Sequence, residues 1–293
     1  MSRIAYVNGQ YVPHGAGTVH IEDRGYQFSD GVYEVFAVHN GALVGEKGHM
    51  DRLGHSLKEL RINWPMQQAA MMVVVLEIVR RNYVHNGFVY LQITRGVARR
   101  DHPFPECSKS ALVVTARKMA PLDKEALSKG VGVIFVPDLR WKRRDIKSIS
   151  LLPNVLGKQQ AREQGAFEAW QVDEDGYVTE GTSSNAWIVT KDGELTTRNT
   201  SQSILNGITR LAVIEAATEA GLTFSERPFM PEEALAAREA FITSSTSHVK
   251  AVTEINGKLV GNGHVGELTS RLLDLYVAYI EESGGPLKTD TWN

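Results

Sequence analysis

Cysteine is almost absent from this chain: Cys107 is the only one in 293 residues. One thiol cannot close an internal disulfide or build a cysteine-based metal site, and it fits a reducing compartment. Long apolar runs are lacking too. No stretch reaches the ~18 residues a membrane helix needs, and the opening Met1-Ser2-Arg3-Ile4 has none of a signal peptide's apolar core. A cytoplasmic location is expected, and the sequon-like Asn199-Thr200-Ser201 then carries little weight. Excess charge of one sign is also missing. Lys and Arg number 32 against 34 Asp and Glu, a net charge of −2, which offers no broad field for nucleic acid or an anionic membrane. The nine histidines show no zinc spacing, so no metal is expected. No Gly-x-Ser-x-Gly elbow and no phosphate-binding Walker loop is present. Gly15-Ala16-Gly17 opens like a dinucleotide loop but reaches His20 where glycine is needed, with no helix after it.

What is present is an ordinary globular composition, 42% apolar and 23% charged. The length suits two domains of ~100–200 residues. The best boundary is Met119-Ala120-Pro121-Leu122, because proline breaks the element before it. This predicts a small N-terminal domain over 1–120, a larger one over 121–283, and a frayed tail over 284–293. Asn8-Gly9, Asn40-Gly41 and Asn256-Gly257 between apolar runs predict hairpins with tight turns. Asp51 is a plausible N-cap for a helix carrying Leu53, Leu57 and Leu60, and a second helix is expected from about Gln67 to His85. Phe88–Thr94 and Ala111–Ala116 read as buried strands. The second half continues with a short helix over Lys124–Ser128 and a strand over Val131–Val136. A helix ending near Gln164, strands around Phe167–Val172 and Tyr177–Val178, and a helix from Gly207 to about Gly221 follow. A last helix over about Glu267–Glu282 should bury Leu268, Leu272, Leu275 and Tyr279. The fold class is α+β.

Three polar stretches stand out. Thr243-Ser244-Ser245-Thr246-Ser247 follows an apolar strand, and amides with hydroxyls in such a turn can cradle a phosphate. A plain surface loop is the commoner reading of that turn alone. Asn206-Gly207-Ile208-Thr209 opens a helix whose N–H groups favour an anion, although simple capping explains it equally. An exposed helix end contributes only ~0.3–1 kcal/mol, so an arginine would have to help. Glu180-Gly181-Thr182-Ser183-Ser184-Asn185 is by composition merely a wide turn.

Together with further landmarks, these stretches resemble the fold type IV pyridoxal phosphate enzymes, and most closely the D-amino acid aminotransferases. The landmarks run in order along nearly the whole chain. They are Asp23-Arg24-Gly25-Tyr26-Gln27-Phe28-Ser29-Asp30-Gly31-Val32-Tyr33-Glu34-Val35, His49-Met50-Asp51-Arg52-Leu53, Thr94-Arg95-Gly96, Arg140-Trp141, Asp145-Ile146-Lys147-Ser148, Thr179-Glu180-Gly181-Thr182-Ser183-Ser184-Asn185 and Leu205-Asn206-Gly207-Ile208-Thr209-Arg210.

The resemblance implies a role for each match. Lys147 matches the lysine that binds pyridoxal 5′-phosphate covalently and shuttles the α-proton; alone, it would read as part of a solvated basic strip beside Arg143 and Arg144. Glu180 matches the carboxylate that pairs with the cofactor's ring nitrogen. Arg52, the N–H groups of Ile208 and Thr209, and the Ser244-Ser245 turn match the phosphate cup, with Arg140 expected to support Arg52. Leu205 matches an apolar residue against the ring face. Tyr33, Arg100 and His102 match the trap for the substrate α-carboxylate, in which the arginine and histidine reach in from the partner subunit of a homodimer. An arginine fork suits a carboxylate better than a lysine does. Departures stand in these motifs, and Val97 and Ala98 also alter the loop that carries the trap. Ser29 replaces a common glycine, and Asp101 lies where it can pair with Arg100.

The expected activity is therefore ping-pong transamination between D-amino acids and 2-oxo acids of the D-alanine and 2-oxoglutarate kind. The cofactor would lie between two domains. Rivals of the same fold are branched-chain L-aminotransferases, (R)-amine transaminases and aminodeoxychorismate lyases. A silent phosphate-binding protein is the non-enzymatic alternative, which the presence of both Lys147 and Glu180 disfavours.

Overall fold

The computed structural model describes residues 3–283, so the tail expected over 284–293 lies outside the described residues. Helices mix with two sheets, as the α+β expectation requires. The chain divides into two compact units. The first takes residues up to Leu122, the stretch Ile146–Ser150, and the chain from Ile280; the second takes Asp123–Asp145 and Leu151–Tyr279. Lys147 therefore belongs to the first unit, far beyond its main run in sequence.

The first unit contains β1 (Ile4–Val7), β2 (Gln10–Pro13), α1 (Arg24–Phe28), β3 (Gly31–His39), β4 (Ala42–Leu43), α2 (Glu46–Glu59), α3 (Gln68–Arg81), β5 (Gly87–Thr94) and β6 (Ala111–Lys118). Its strands form an antiparallel sheet in the order β2-β1-β6-β5-β3-β4. Strand periodicity sends Val32, Glu34, Phe36 and Val38 of β3 into the core, where Leu53 and Leu57 of α2 and Val75 and Ile78 of α3 also pack. Each large apolar side chain buried there contributes about 1.5–3 kcal/mol.

Two helix limits differ from expectation. α2 begins at Glu46 behind Gly45, whose φ of 65° no capping side chain announces, and Asp51 lies inside the helix, 2.6 Å from Lys47 Nζ. α3 stops at Arg81, and the Asn82 side chain that follows takes the N–H of Ile4 at 2.8 Å and donates to its carbonyl at 2.9 Å.

The second unit contains α4 (Lys124–Leu127), β7 (Val131–Pro137), α5 (Leu152–Glu163), β8 (Glu168–Val172), β9 (Val178–Gly181), β10 (Asn185–Val189) and β11 (Leu195–Thr197). It continues with α6 (Ile208–Glu219), β12 (Phe224–Glu226), α7 (Pro231–Leu235), β13 (Glu239–Ser244), β14 (His248–Ile255), β15 (Lys258–Leu259) and α8 (Glu267–Ser283). The sheet order is β12-β11-β10-β13-β14-β7-β8-β9, with β15 beside β14. β10 is buried at every position, with an apolar run over 186–189. The three pairs expected to turn hairpins, Asn8-Gly9, Asn40-Gly41 and Asn256-Gly257, take positive φ at both residues, as tight turns demand. α8 buries Leu272, Leu273, Tyr276 and Val277. The expected Leu268, Leu275 and Tyr279 stand beside that face and are only half-buried.

Candidate active site

In the first unit, β3 and α2 build one cluster. Glu34 occupies a core-facing position of β3, and its carboxylate is fully buried. Such a charge needs partners. His49, Arg52 and Ser56 follow at helical spacing on α2, and the first two supply them. Arg52 Nε and Nη2 each lie 2.8 Å from a Glu34 oxygen, and His49 Nδ1 lies 2.7 Å from Oε2. Burial alone would push the Glu34 carboxyl up; Arg52 and His49 outweigh it and hold it down at about 2. His49 is shifted downward by burial, against the pull of Glu34.

Ser56 Oγ, one turn further on, accepts the N–H of Lys147 at 3.1 Å. The Ile146–Ser150 stretch is also laced to β3: Tyr33 N–H donates to the Lys147 carbonyl at 3.0 Å, and Ile149 N–H to that of Gly31 at 3.1 Å. The Lys147 ammonium stands 4.3 Å from the centre of the Tyr33 ring, which stacks on Tyr90. Lys147 and Tyr33 are thus brought together beside β3.

Arg100 and His102 lie elsewhere in this unit, on an irregular loop after β5. Both side chains gather at Phe28 of α1 rather than at Tyr33. Asp101 accepts the backbone N–H of His102 at 2.8 Å instead of pairing with Arg100. Ser29 has φ 56° and ψ 29°, a left-handed conformation that accounts for a glycine preference at this position.

In the second unit, Glu180 lies near the end of β9 with its side chain buried. Its carboxylate accepts from Arg140 Nη1 at 2.5 Å, Asn185 Nδ2 at 3.0 Å and Leu205 N–H at 3.1 Å. Burial pushes the Glu180 carboxyl up from its ordinary value, opposed by Arg140 and the Leu205 N–H. Burial works against the Arg140 charge, but Glu180 and Asp138 more than compensate and raise that guanidinium. Three N–H donors converge on the acid, so the charged pair is the state we take at neutral pH. Arg140 also holds Asp138 at 2.9 and 2.7 Å, so its fork is committed to Glu180 and Asp138 rather than to the support expected of it. Asp138 further accepts from Thr179 Oγ1 at 2.8 Å.

The turn after Glu180 curls round another buried acid. Glu168 accepts from Thr182 Oγ1, from Ser183 Oγ at 2.6 Å and from Ser184 Oγ at 3.3 Å. This turns the hydroxyls inward and leaves Glu180 and Asn185 on either side of the loop. Asn185 then reaches the Leu205 carbonyl at 3.0 Å, just before α6. Leu205 meets Glu180 through its backbone; its side chain is half-buried.

Ile208 and Thr209 open α6 behind Gly207, an N-cap without a capping side chain. Such an end presents N–H groups and positive partial charge. Ser244 ends β13 and Ser245 begins the turn that follows it. Asn185 pairs with Thr243 in the β10–β13 ladder, which sets that turn beside the 182–185 loop. Tyr276 touches both neighbours: its hydroxyl lies 3.4 Å from Thr209 Oγ1, and its ring centre lies 5.9 Å from that of His248, the ladder partner of Ser244. Glu180, Leu205, Ile208, Thr209, Ser244 and Ser245 therefore belong to one region of this unit. A buried carboxylate, an uncapped helix end and a hydroxyl turn suit a phosphorylated ring with a basic nitrogen, so the donor set fits the expected cofactor.

Sequence reasoning missed Asp138, Asn185 and Glu34 as site builders. Each was visible as a polar residue inside or beside a landmark, but nothing in the spacing said which cation or amide it would meet.

Residues 31–255 match the family model for class IV aminotransferases. The chain is 41% identical over 265 residues to a D-alanine aminotransferase of Bacillus licheniformis, covering 90% of this chain and 93% of that protein. It is 38% identical over 284 residues to the D-alanine aminotransferase of Listeria monocytogenes, covering 96% and 98%. Among solved structures, a branched-chain amino acid aminotransferase of T.th. with pyridoxamine 5′-phosphate superposes at a TM-score of 0.88 with 25% identity, covering 100% of this chain and 98% of the other. The fold is type IV, and the chain belongs to the class IV aminotransferase family.

Proposed function

We propose that this chain transfers amino groups from D-amino acids to 2-oxo acids, with pyridoxal 5′-phosphate as cofactor and D-alanine as a representative donor. The observation that carries the reading is the Glu180 carboxylate, buried, bound by three N–H donors, and tied through Asn185 to the turn that opens α6. The two D-alanine aminotransferase relatives support the choice of donor.

When bound, the cofactor supplies an electron-withdrawing ring that stabilises negative charge at the substrate Cα. Every other step falls to side chains. Glu180 holds a proton on the ring nitrogen. The N–H groups of Ile208 and Thr209 and the Ser244-Ser245 turn would bind the phosphate, Arg52 is the arginine the resemblance assigns to it, and Leu205 would pack on the ring face. Lys147 would hold the cofactor through its amine and, when free, would move the proton at the substrate Cα. Tyr33, with Arg100 and His102 of a second copy, anchors the α-carboxylate and selects the D-hand.

That trap calls for a homodimer. Leu152, Val155 and Leu156 on one face of α5 are 68%, 58% and 57% exposed, and such an apolar stripe supports self-association. We place the enzyme in the cytoplasm because its one cysteine is a free, exposed thiol.

The test is an absorbance titration of the cofactor-loaded protein with a D- and L-amino acid panel. D-alanine is expected to convert the cofactor to its amino form, and 2-oxoglutarate to restore it. Conversion by L-leucine but not D-alanine would overturn the reading in favour of a branched-chain enzyme.

A further inference from the structure

The loop that carries Arg100 and His102 has no regular secondary structure, yet it is pinned in detail. Arg24, on the short α1, does the pinning. Its guanidinium is buried, with Nη1 2.6 Å from the Asp101 carbonyl, Nη2 3.2 Å from the His102 carbonyl and Nε 2.8 Å from Asp30. Asp30 is itself shared with Arg95 at 2.7 Å, at the base of the same loop. The Arg24 N–H adds a bond to the Gly96 carbonyl at 2.9 Å.

Four residues along lies Phe28, whose ring collects the ends of this arrangement. The Arg24 guanidinium carbon is 4.9 Å from the ring centre and that of Arg100 is 4.7 Å away. The His102 ring centre lies 5.6 Å off at an interplanar angle of 45°. One half-buried aromatic thus receives both loop side chains assigned to the carboxylate, while Arg24 fixes the backbone carbonyls between them.

We propose that Phe28, backed by Arg24, is a positioning residue that sets the Arg100 guanidinium and the His102 imidazole for recognition of the substrate α-carboxylate. The inference rests on the carboxylate-trap reading given above. An arginine free on an exposed loop must lose its rotamer freedom when it binds, and that loss weakens binding. Contact with the π face of Phe28 removes much of that freedom beforehand. The contribution is therefore to substrate binding, and the proton-transfer step is untouched.

The experiment is steady-state kinetics with D-alanine on the cofactor-loaded enzyme and on Phe28→Leu, Phe28→Trp, Arg100→Ala and the Phe28→Leu/Arg100→Ala double variant. Phe28→Leu is expected to raise KM at least about threefold with kcat nearly unchanged, as loss of an exposed cation–π contact implies. Phe28→Trp, which keeps an aromatic face, should restore KM. In the Arg100→Ala background, Phe28→Leu should have a smaller effect, because the guanidinium it positions is gone and only the His102 contact remains. An unchanged KM in Phe28→Leu, a fall in kcat alone, or full additivity in the double variant overturns the inference. If Arg100→Ala itself leaves KM unchanged, the trap reading fails instead.

Discussion

Asn185 stands between the Glu180 carboxylate and the Leu205 carbonyl, its Nδ2 3.0 Å from each. One amide thereby sets the distance between the acid expected to meet the cofactor ring nitrogen and the turn that opens α6. Gly207 leaves it room, for a Cβ there would collide with Asn185 Oδ1. Gly207→Ala is expected to displace the amide and weaken cofactor affinity at least about tenfold, or about 1.4 kcal/mol. Adding Asn185→Ala removes the clash, so the double variant should be more stable than the summed single effects. Cofactor titration and denaturant melts measure both; tight cofactor binding by Gly207→Ala would show that Asn185 is not the link.

Ser29 lies in the left-handed region at φ 56°, where a Cβ is unfavourable. Ser29→Gly should stabilise the protein by about 0.5–1 kcal/mol, the strain relieved exceeding the extra freedom given to the unfolded chain. The denaturant midpoint should rise at constant slope. A lower midpoint would mean that the Ser29 side chain makes a contact worth more than the strain.

Acid should destabilise the Glu34 cluster in two stages of the same sign. His49 is shifted down in the folded state, so the unfolded chain binds a proton more readily and stability falls as pH drops below 6.5. Glu34 is held at about 2 against an ordinary 4.5, so its contribution is full above 4.5 and is lost as pH falls toward 2. His49→Gln should flatten the first stage and leave much of the second. Melting temperatures from about pH 2 to about pH 8 give the comparison, and a wild-type profile flat below pH 6.5 would contradict it.

Much of this was legible beforehand because it is local. Asn8-Gly9, Asn40-Gly41 and Asn256-Gly257 sit between apolar runs and take the positive φ angles that tight hairpins need. The start of α2 was not legible, since Gly45 caps it by backbone conformation and Asp51 looks like a cap while pairing with Lys47. The burial of Leu273 and Val277 of α8 in place of Leu275 depends on which face tertiary packing selects. Site residues showed themselves as types within landmarks, but their partners did not. Arg140 could have turned to several anions; only the fold brings it to Asp138 and Glu180, 40 positions apart for the latter.

Reduction with borohydride followed by peptide mapping tests the central claim most directly. The cofactor-loaded protein should carry its reduced label on Lys147 and nowhere else. Lys147→Ala should show no label and no turnover while still binding cofactor weakly through the helix end and hydroxyl turn. Label on any other lysine, or turnover surviving in Lys147→Ala, would contradict the assignment.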